Sequence, residues 1–509
     1  MSAHDEPMEG WPLAVVTLSL AMATFMNVLD TTIANVSIPA IAGGLSVSPS
    51  QGTWVITSYA VATAIVVPLS GWLARNFGEV RTYIACTILF CLVSMLCGLA
   101  NSFPMLVAFR TLQGAVAGPM IPLSQSLLLR CYPEEKRGMA LAFWAMTTVI
   151  APIVGPIMGG WLTDNVGWPW IFYINAPIGL AAAFVSWELL KDRESKIRRQ
   201  PVDKVGLALL VIGVGSLQMM LDIGNNHDWF SSSLIWALAA VALVALAFFI
   251  AWELTEEHPV VDLSLFKEYN FTVATLTLSF GYMLFFGGIV VYTLWLQTQM
   301  GYTATWAGMA AAPTGVLSLL LTPFVGILVH KMDARILATI AYAIFTYTHL
   351  MQAQFNTDAT FMDIALPRFL MGAGMACFFV PMTTISLSGI PRDRIASASG
   401  MANFLRLLAG GFGASITVSL WENRTALHQS RLVENVTAFG GPAREALAEM
   451  TDAGFSMDSA LGMMMMTIRK QTVTMATVDL YWLSAILFST LMAMVWMTRR
   501  VHHAPPQGR

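Results

Sequence analysis

The sequence predicts an all-α, polytopic membrane protein built from two six-helix halves with two further helices inserted between them. Three observations carry this reading: the composition, the spacing of the apolar runs, and a set of motifs that occurs twice. The 509-residue chain is 56% hydrophobic and only 11% charged, with a mean hydropathy of +0.65. Soluble globular chains carry roughly a quarter of their residues as charges. Hydropathy gives about fourteen runs long enough to cross a bilayer core of roughly 30 Å.

The expected spans, in order, are 13–39, 53–74, 81–101, 104–128, 138–162, 169–190, 205–223, 233–253, 271–296, 304–329, 335–354, 361–386, 397–421 and 477–498. Met1–Gly10 is acidic and no small-residue cleavage site follows the first run, so that run is expected to stay as a span and not to leave as a signal peptide. The short loops carrying Arg75/Arg81, Arg130/Lys136/Arg137, Lys191–Lys204, Lys267, Lys331/Arg335 and Arg392/Arg394 alternate with loops 40–52, 101–103, 163–168, 224–232, 297–303 and 355–360, which hold no Lys or Arg. The positive-inside rule therefore places both termini in the cytoplasm. The chain divides into an N-terminal stretch (1–12), a first half (13–190), a linker (191–204), two inserted helices (205–253), a linker (254–270), a second half (271–498) and a tail (499–509). Within the second half, the external loop 422–476 is long and exempt from the charge rule. Arg444–Met450 and Met457–Thr474 have helical composition, broken near Gly440–Pro442 and Gly454, and predict a helical hairpin with a partly apolar face at Met463–Met466.

The repeat sets the halves. Pro68-x-x-Gly71-x-Leu73 closes the second span and Pro323-x-x-Gly326-x-Leu328 the tenth. Arg110-x-Leu112-x-Gly114-Ala115 opens the fourth and Arg368-x-Leu370-x-Gly372-Ala373 the twelfth. Gly138-Met-Ala140 and Gly400-Met-Ala402 lie early in the fifth and thirteenth. The offsets, about 255, 258 and 262 residues, are nearly constant, and such repeated halves characterise secondary transporters, whose sites lie between the halves near the midplane.

Several side chains are expensive in a membrane and therefore informative. Asp30 sits about nine residues before Pro39, roughly 13 Å below the outer end. A carboxylate at that depth marks a proton or substrate path by default; the alternative is a packing Asp bonded to Thr31 or a backbone group. Arg110 lies roughly 9 Å below the same surface. It is the natural partner of Asp30, either as a gate on protonation or as a fixed structural pair. Arg368 is its equivalent in the second half, and Arg406 lies roughly 13 Å above the cytoplasmic end. Both could hold an anionic substrate group by forked contacts, or pair with a carbonyl or amide such as Asn403. Asn35, Gln113 and Gln125 are further polar groups within spans, and Asn35 and Gln113 are candidate substrate contacts. Trp144, Phe285, Tyr292 and Phe378 are candidate walls of a greasy cavity, although aromatic stripes also serve packing and lipid contact. Asp222, Glu188 and Glu253 fall near span ends and read as interfacial, which leaves the inserted helices a peripheral structural role. In Ala151-Pro-Ile-Val-Gly-Pro-Ile-Met-Gly-Gly160, Pro152 and Pro156 are four apart, as are Gly155 and Gly159, so each pair shares a helical face. Gly160 completes this stretch of kinking and small residues, which suits a close helix seam in a membrane.

Other classes are excluded or disfavoured. No Gly-Lys dipeptide occurs, so no Walker A loop does; no His precedes a Glu, so no HExxH does. No cofactor site is read, and Cys86, Cys91, Cys97, Cys131 and Cys377 frame no metal. A net charge of −3 gives no reason to expect a nucleic acid.

The 6+2+6 order and these motifs resemble the fourteen-spanner drug:proton antiporters of the major facilitator superfamily, of the EmrB type. The likeness runs over nearly the whole chain. It rests on Leu29–Asn35 ending at Pro39, Gln51–Thr57, Arg110-x-x-Gln113-Gly114, the antiporter signature Ala151–Gly160, Trp168–Gly179 and Phe285–Gly287. It implies a major facilitator fold in a bacterial inner membrane and efflux of hydrophobic or amphipathic compounds in exchange for protons. It also implies partners: a periplasmic adaptor of the EmrA-like membrane fusion type and a TolC-like outer-membrane channel. An export task for one metabolite or fatty acid, or transport without an adaptor, is the alternative. One departure stands out. The loop 2–3 motif Gly71-x-Leu73-x-Arg75-x-x-Gly78 has Arg75 where the superfamily has Asp, so its latch is either missing or carried by Glu79.

Overall fold

A computed structural model describes residues 8–133, 136–195, 197, 201–257, 259–329, 331–391, 394–436 and 440–500. Among them there is no strand. The helical stretches are α1 (Gly10–Gly44), α2 (Pro49–Phe77), α3 (Glu79–Gly98), α4 (Phe103–Cys131), α5 (Arg137–Asn165), α6 (Trp170–Arg193), α7 (Lys204–Ile223), α8 (Ser233–Glu253), α9 (Tyr269–Thr298), α10 (Ala304–Leu328), α11 (Ala334–Gln352), α12 (Phe361–Leu387), α13 (Ile395–Asn435), α14 (Gly441–Asp452) and α15 (Met457–Val495). Among the described residues, 12 of these are long and apolar enough to cross a membrane. The expected fifth and eleventh spans fall on α5 and α11.

Local chemistry explains where the helices start. Ser48 and Gln51 form a reciprocal capping box at α2, and Thr360 with Asp363 repeats it at α12. Asp203, Thr303, Asp333 and Ser456 cap α7, α10, α11 and α15 with their side chains. Each cap occupies a backbone donor that the first turn cannot satisfy internally.

The two halves are separate bundles that meet along two seams. In the first, α1 packs on α4, α5 and α6; in the second, α9 packs on α12, α13 and α15. Across the middle, α2 lies on α13 and α5 lies on α10, with a lighter contact between α1 and α9.

Two expectations are corrected. The inserted pair is not peripheral as a unit: α8 exposes Leu243 and Phe248, but α7 wedges against both α2 and α13. The reason is polar: Gln218 and Asp222 of α7 find partners on those helices. The segment 422–476 is helical, but its helices are not confined to it. Helix α13 runs on unbroken to Asn435 and α15 begins at Met457, so both pass well beyond their apolar runs. His428 and Arg424 hold Asp479 at 2.8 and 3.8 Å and tie the two extensions together. The molecule thus has a hairpin end, where α14 sits, and a tail end, where Arg499 and Arg500 lie.

Candidate functional site

Asp30 and Arg110 meet inside the first half. The Arg110 guanidinium donates through Nη1 to Asp30 Oδ2 at 2.5 Å, and both side chains are 0% exposed. Four helices complete the cage. Gln113 of α4 and Asn175 of α6 donate to Asp30 Oδ1 at 3.2 and 2.7 Å. Ser94 of α3 accepts from Asn175 at 3.0 Å. Arg110 also donates to the Val55 carbonyl of α2 at 2.9 Å and to Gln113 Oε1 at 2.8 Å. The guanidinium lies between the rings of Tyr59, 4.2 Å from its centroid, and Phe172, 5.5 Å away. Buried charges persist only when paired and hydrogen-bonded, and both oxygens of this carboxylate accept from a donor. Gln113, expected as a substrate contact, is instead part of this cage. Sequence reasoning gave Asn175 and Tyr59 no role in it, because an Asn or Tyr in an apolar run has no charge or periodicity to mark it.

The signature in α5 closes two contacts at once. A Cβ at Gly155 would meet Thr32 Oγ1 at 2.1 Å and one at Gly159 would meet Ile33, so this pair seats α5 on α1. One residue on, a Cβ at Gly160 would meet the Ala304 carbonyl at 2.4 Å, and one at Gly308 would meet the Pro156 carbonyl at 2.1 Å. The α5–α10 seam between the halves is therefore backbone against backbone. Pro152 and Pro156 lie inside an otherwise continuous α5. At the hairpin end of this seam, Asp164 accepts from the Thr305 amide and hydroxyl at 2.8 and 2.6 Å. Partial burial raises the Asp164 carboxyl, but these hydrogen bonds outweigh it and hold it below the usual range.

Within the helix bundle of the second half, Arg368 and Arg406 have no carboxylate partner among the described residues. Arg368 is buried, with its Cζ 3.7 Å from the Tyr292 ring centroid, and Arg406 lies between Tyr282 and Phe379 at 5.3 and 5.2 Å. The Nε of each makes no hydrogen bond. Tyr292 and Arg368 are thus brought together. Phe285 and Phe378 are not cavity walls here: they are buried against Phe345 in the aromatic core of the second half. Asn35 lies at the contact of α1 with α9, where Thr293 donates to its carbonyl at 3.4 Å. The Trp144 side chain lies outside the described residues. In the loop 2–3 motif, Gly71 and Arg75 are exposed. Gly78 adopts φ +94, a conformation suited to glycine, and seats the Glu194 carboxylate, which caps α3. Glu79 makes an ion pair at this corner: its carboxylate accepts from Arg130 at 2.6 Å.

Two pseudo-equivalent bundles, backbone-close seams between them and a buried charge cluster in one half define a secondary transporter of the two-repeat class. The chain belongs to the Major Facilitator Superfamily, whose family model matches residues 20–414. It is 50% identical over 503 residues to the multidrug export protein EmrB of Haemophilus influenzae, covering 99% of this chain and 98% of that protein. It is 47% identical over 502 residues to the fatty acid resistance protein FarB of Neisseria gonorrhoeae, covering 99% of each. Among solved structures it is similar to an auto-inhibited POT family peptide transporter, with a TM-score of 0.65 at 14% identity over 98% of this chain and 99% of that one. That likeness concerns the fold alone.

Proposed function

We propose that this chain exports hydrophobic and amphipathic compounds in exchange for protons. It would do so as the inner-membrane component of a tripartite efflux system, with fourteen spans and both termini cytoplasmic. The observation that carries the reading is the fully buried Asp30–Arg110 pair in a chain half identical to a multidrug export protein. A proton arriving at Asp30 neutralises the carboxylate and leaves Arg110 held only by its neutral acceptors, Val55 and Gln113. Proton and substrate favour different arrangements of the halves, so each displaces the other through the cycle. The tight α5–α10 contact is where the halves rock without leaving a water path. The adaptor, of the EmrA-like type, would sit on the hairpin end, where Met457, Leu461, Met465 and Met466 are exposed. A TolC-like channel would continue the route outward.

A second reading, export of amphipathic carboxylates such as fatty acids, is favoured by Arg368 and Arg406 and by the name of the N. gonorrhoeae relative. One experiment tests both. Purified protein in proteoliposomes is given a proton gradient, and internal pH is followed together with a hydrophobic carboxylate and its neutral alcohol. Antiport predicts opposite movement of substrate and protons, abolished by Asp30→Asn. Movement without proton counterflow overturns it. Carboxylate export predicts that Arg368→Gln removes carboxylate movement and spares the alcohol; equal effects on both overturn that reading.

A further inference from the structure

The inserted helix α7 carries one acidic residue at its hairpin end, Asp222, and its surroundings differ from those of Asp30. Three neutral donors hold the carboxylate. The Thr57 hydroxyl of α2 donates to Oδ2 at 3.0 Å, while the Ser415 hydroxyl of α13 and the Gln218 amide of α7 donate to Oδ1 at 2.5 and 2.8 Å. The Gln218 amide also donates to Ser415 at 2.7 Å, and the Trp54 indole donates to the Asp222 backbone carbonyl at 3.2 Å. Both halves and the inserted pair therefore converge on one carboxylate. It borders a narrow cleft whose other walls come from α2, α13 and the turn after α7. Among the described residues no cation lines this cleft. From α2 it is faced by Ser50, Gln51, Thr53 and Trp54, none titratable; from α13 the titratable group is Glu422, which accepts from Asn225 at 2.7 Å.

We infer that Asp222 is a second proton-binding site, separate from Asp30, placed where the inserted helix joins the two halves. Protonating Asp30 leaves a buried guanidinium without its counter-ion, whereas protonating Asp222 strands no charge. The new O–H needs an acceptor, and one stands by. Gln218 Oε1 is buried and makes no hydrogen bond, and half a turn of that amide presents it to the carboxyl. The same turn replaces the amide N–H beside Ser415 with Oε1, so the hydrogen bond between α7 and α13 reverses direction with the proton. Binding at Asp222 is independent of the antiport reading; a part for it in transport rests on that reading.

Infrared titration of the full chain in lipid reads the site without transport. The native protein is expected to show a carboxylic-acid C=O band on acidification that Asp222→Asn removes, Asp30→Asn keeps and Asp222→Glu restores at a displaced frequency. Ser415→Ala, which removes a donor to the ionised form worth about 1.4 kcal/mol, is expected to carry the band about one pH unit higher. An unchanged band in Asp222→Asn, or a Ser415→Ala titration identical to native, overturns the proposal. Native protein that shows the band but no proton counterflow in proteoliposomes would sink the antiport reading and leave this site standing.

Discussion

Asp30 and Arg110 are each the other's only route to charge neutrality, because neither touches solvent. Removing one partner of such a pair costs about 3–5 kcal/mol. Arg110→Ala should therefore lower thermal stability in detergent far more than Asp30→Asn combined with Arg110→Gln, where no ion is left buried. Equal losses would mean that packing, and not charge, holds the site. Asp30 was legible in the sequence because a carboxylate within an apolar run has few innocent explanations. The pairing with Arg110 was legible because the two lie at similar depth. The cage was not: Asn175, Ser94 and Tyr59 come from three other helices, and hydropathy records the length of a helix but not which face meets which. Asp222 was read as interfacial for the same reason, since its partners Thr57 and Ser415 lie on other helices far off in sequence.

The glycines of α5 show what an element's sequence can and cannot say. Four-residue spacing put Gly155 and Gly159 on one face, and that face does meet α1. Nothing in the spacing identified α10 as the neighbour of Gly160. Gly160→Val and Gly308→Val, each driving carbon into a carbonyl, should give folded protein with export reduced at least tenfold, or protein whose halves no longer dock. Gly326→Ala, with open space at its Cβ, should be neutral in the same efflux assay. Asp164 offers a pH test on this seam. Its carboxyl is depressed in the folded state, so its contribution to stability is present above the unfolded value and fades as pH falls through the folded one. Native protein should therefore melt higher than Asp164→Asn near neutrality, with the gap closing at acid pH. Helices α13 and α15 outran their expected ends because apolar runs stop where the lipid stops, while backbone hydrogen bonding continues wherever no breaker intervenes. Pro442 sits in the first turn of α14, where its missing N–H costs nothing, and Gly454, at φ +95, separates α14 from α15.

At the scale of the molecule, the twofold motif set and the composition were enough to give the all-helical fold and its division into halves. The wedge of α7 was not, because an inserted pair has no counterpart in the repeat against which to place it. Deleting 441–452 should leave the melting temperature of the bundle within a few degrees of native and abolish co-purification with an adaptor. If co-purification survives, the proposed docking of an adaptor on the hairpin end fails. The long helices have a mechanical consequence. About a third of the 41 residues of α13 and half of the 39 of α15 extend past their apolar runs, roughly 20 and 30 Å of stiff rod at a rise of about 1.5 Å per residue. A rod rooted in the second half behaves as a lever: a tilt of about 10° at its base sweeps its tip through roughly 5 Å. On the proposed cycle the hairpin works as a pointer, turning small angular changes between the halves into displacement at its far end.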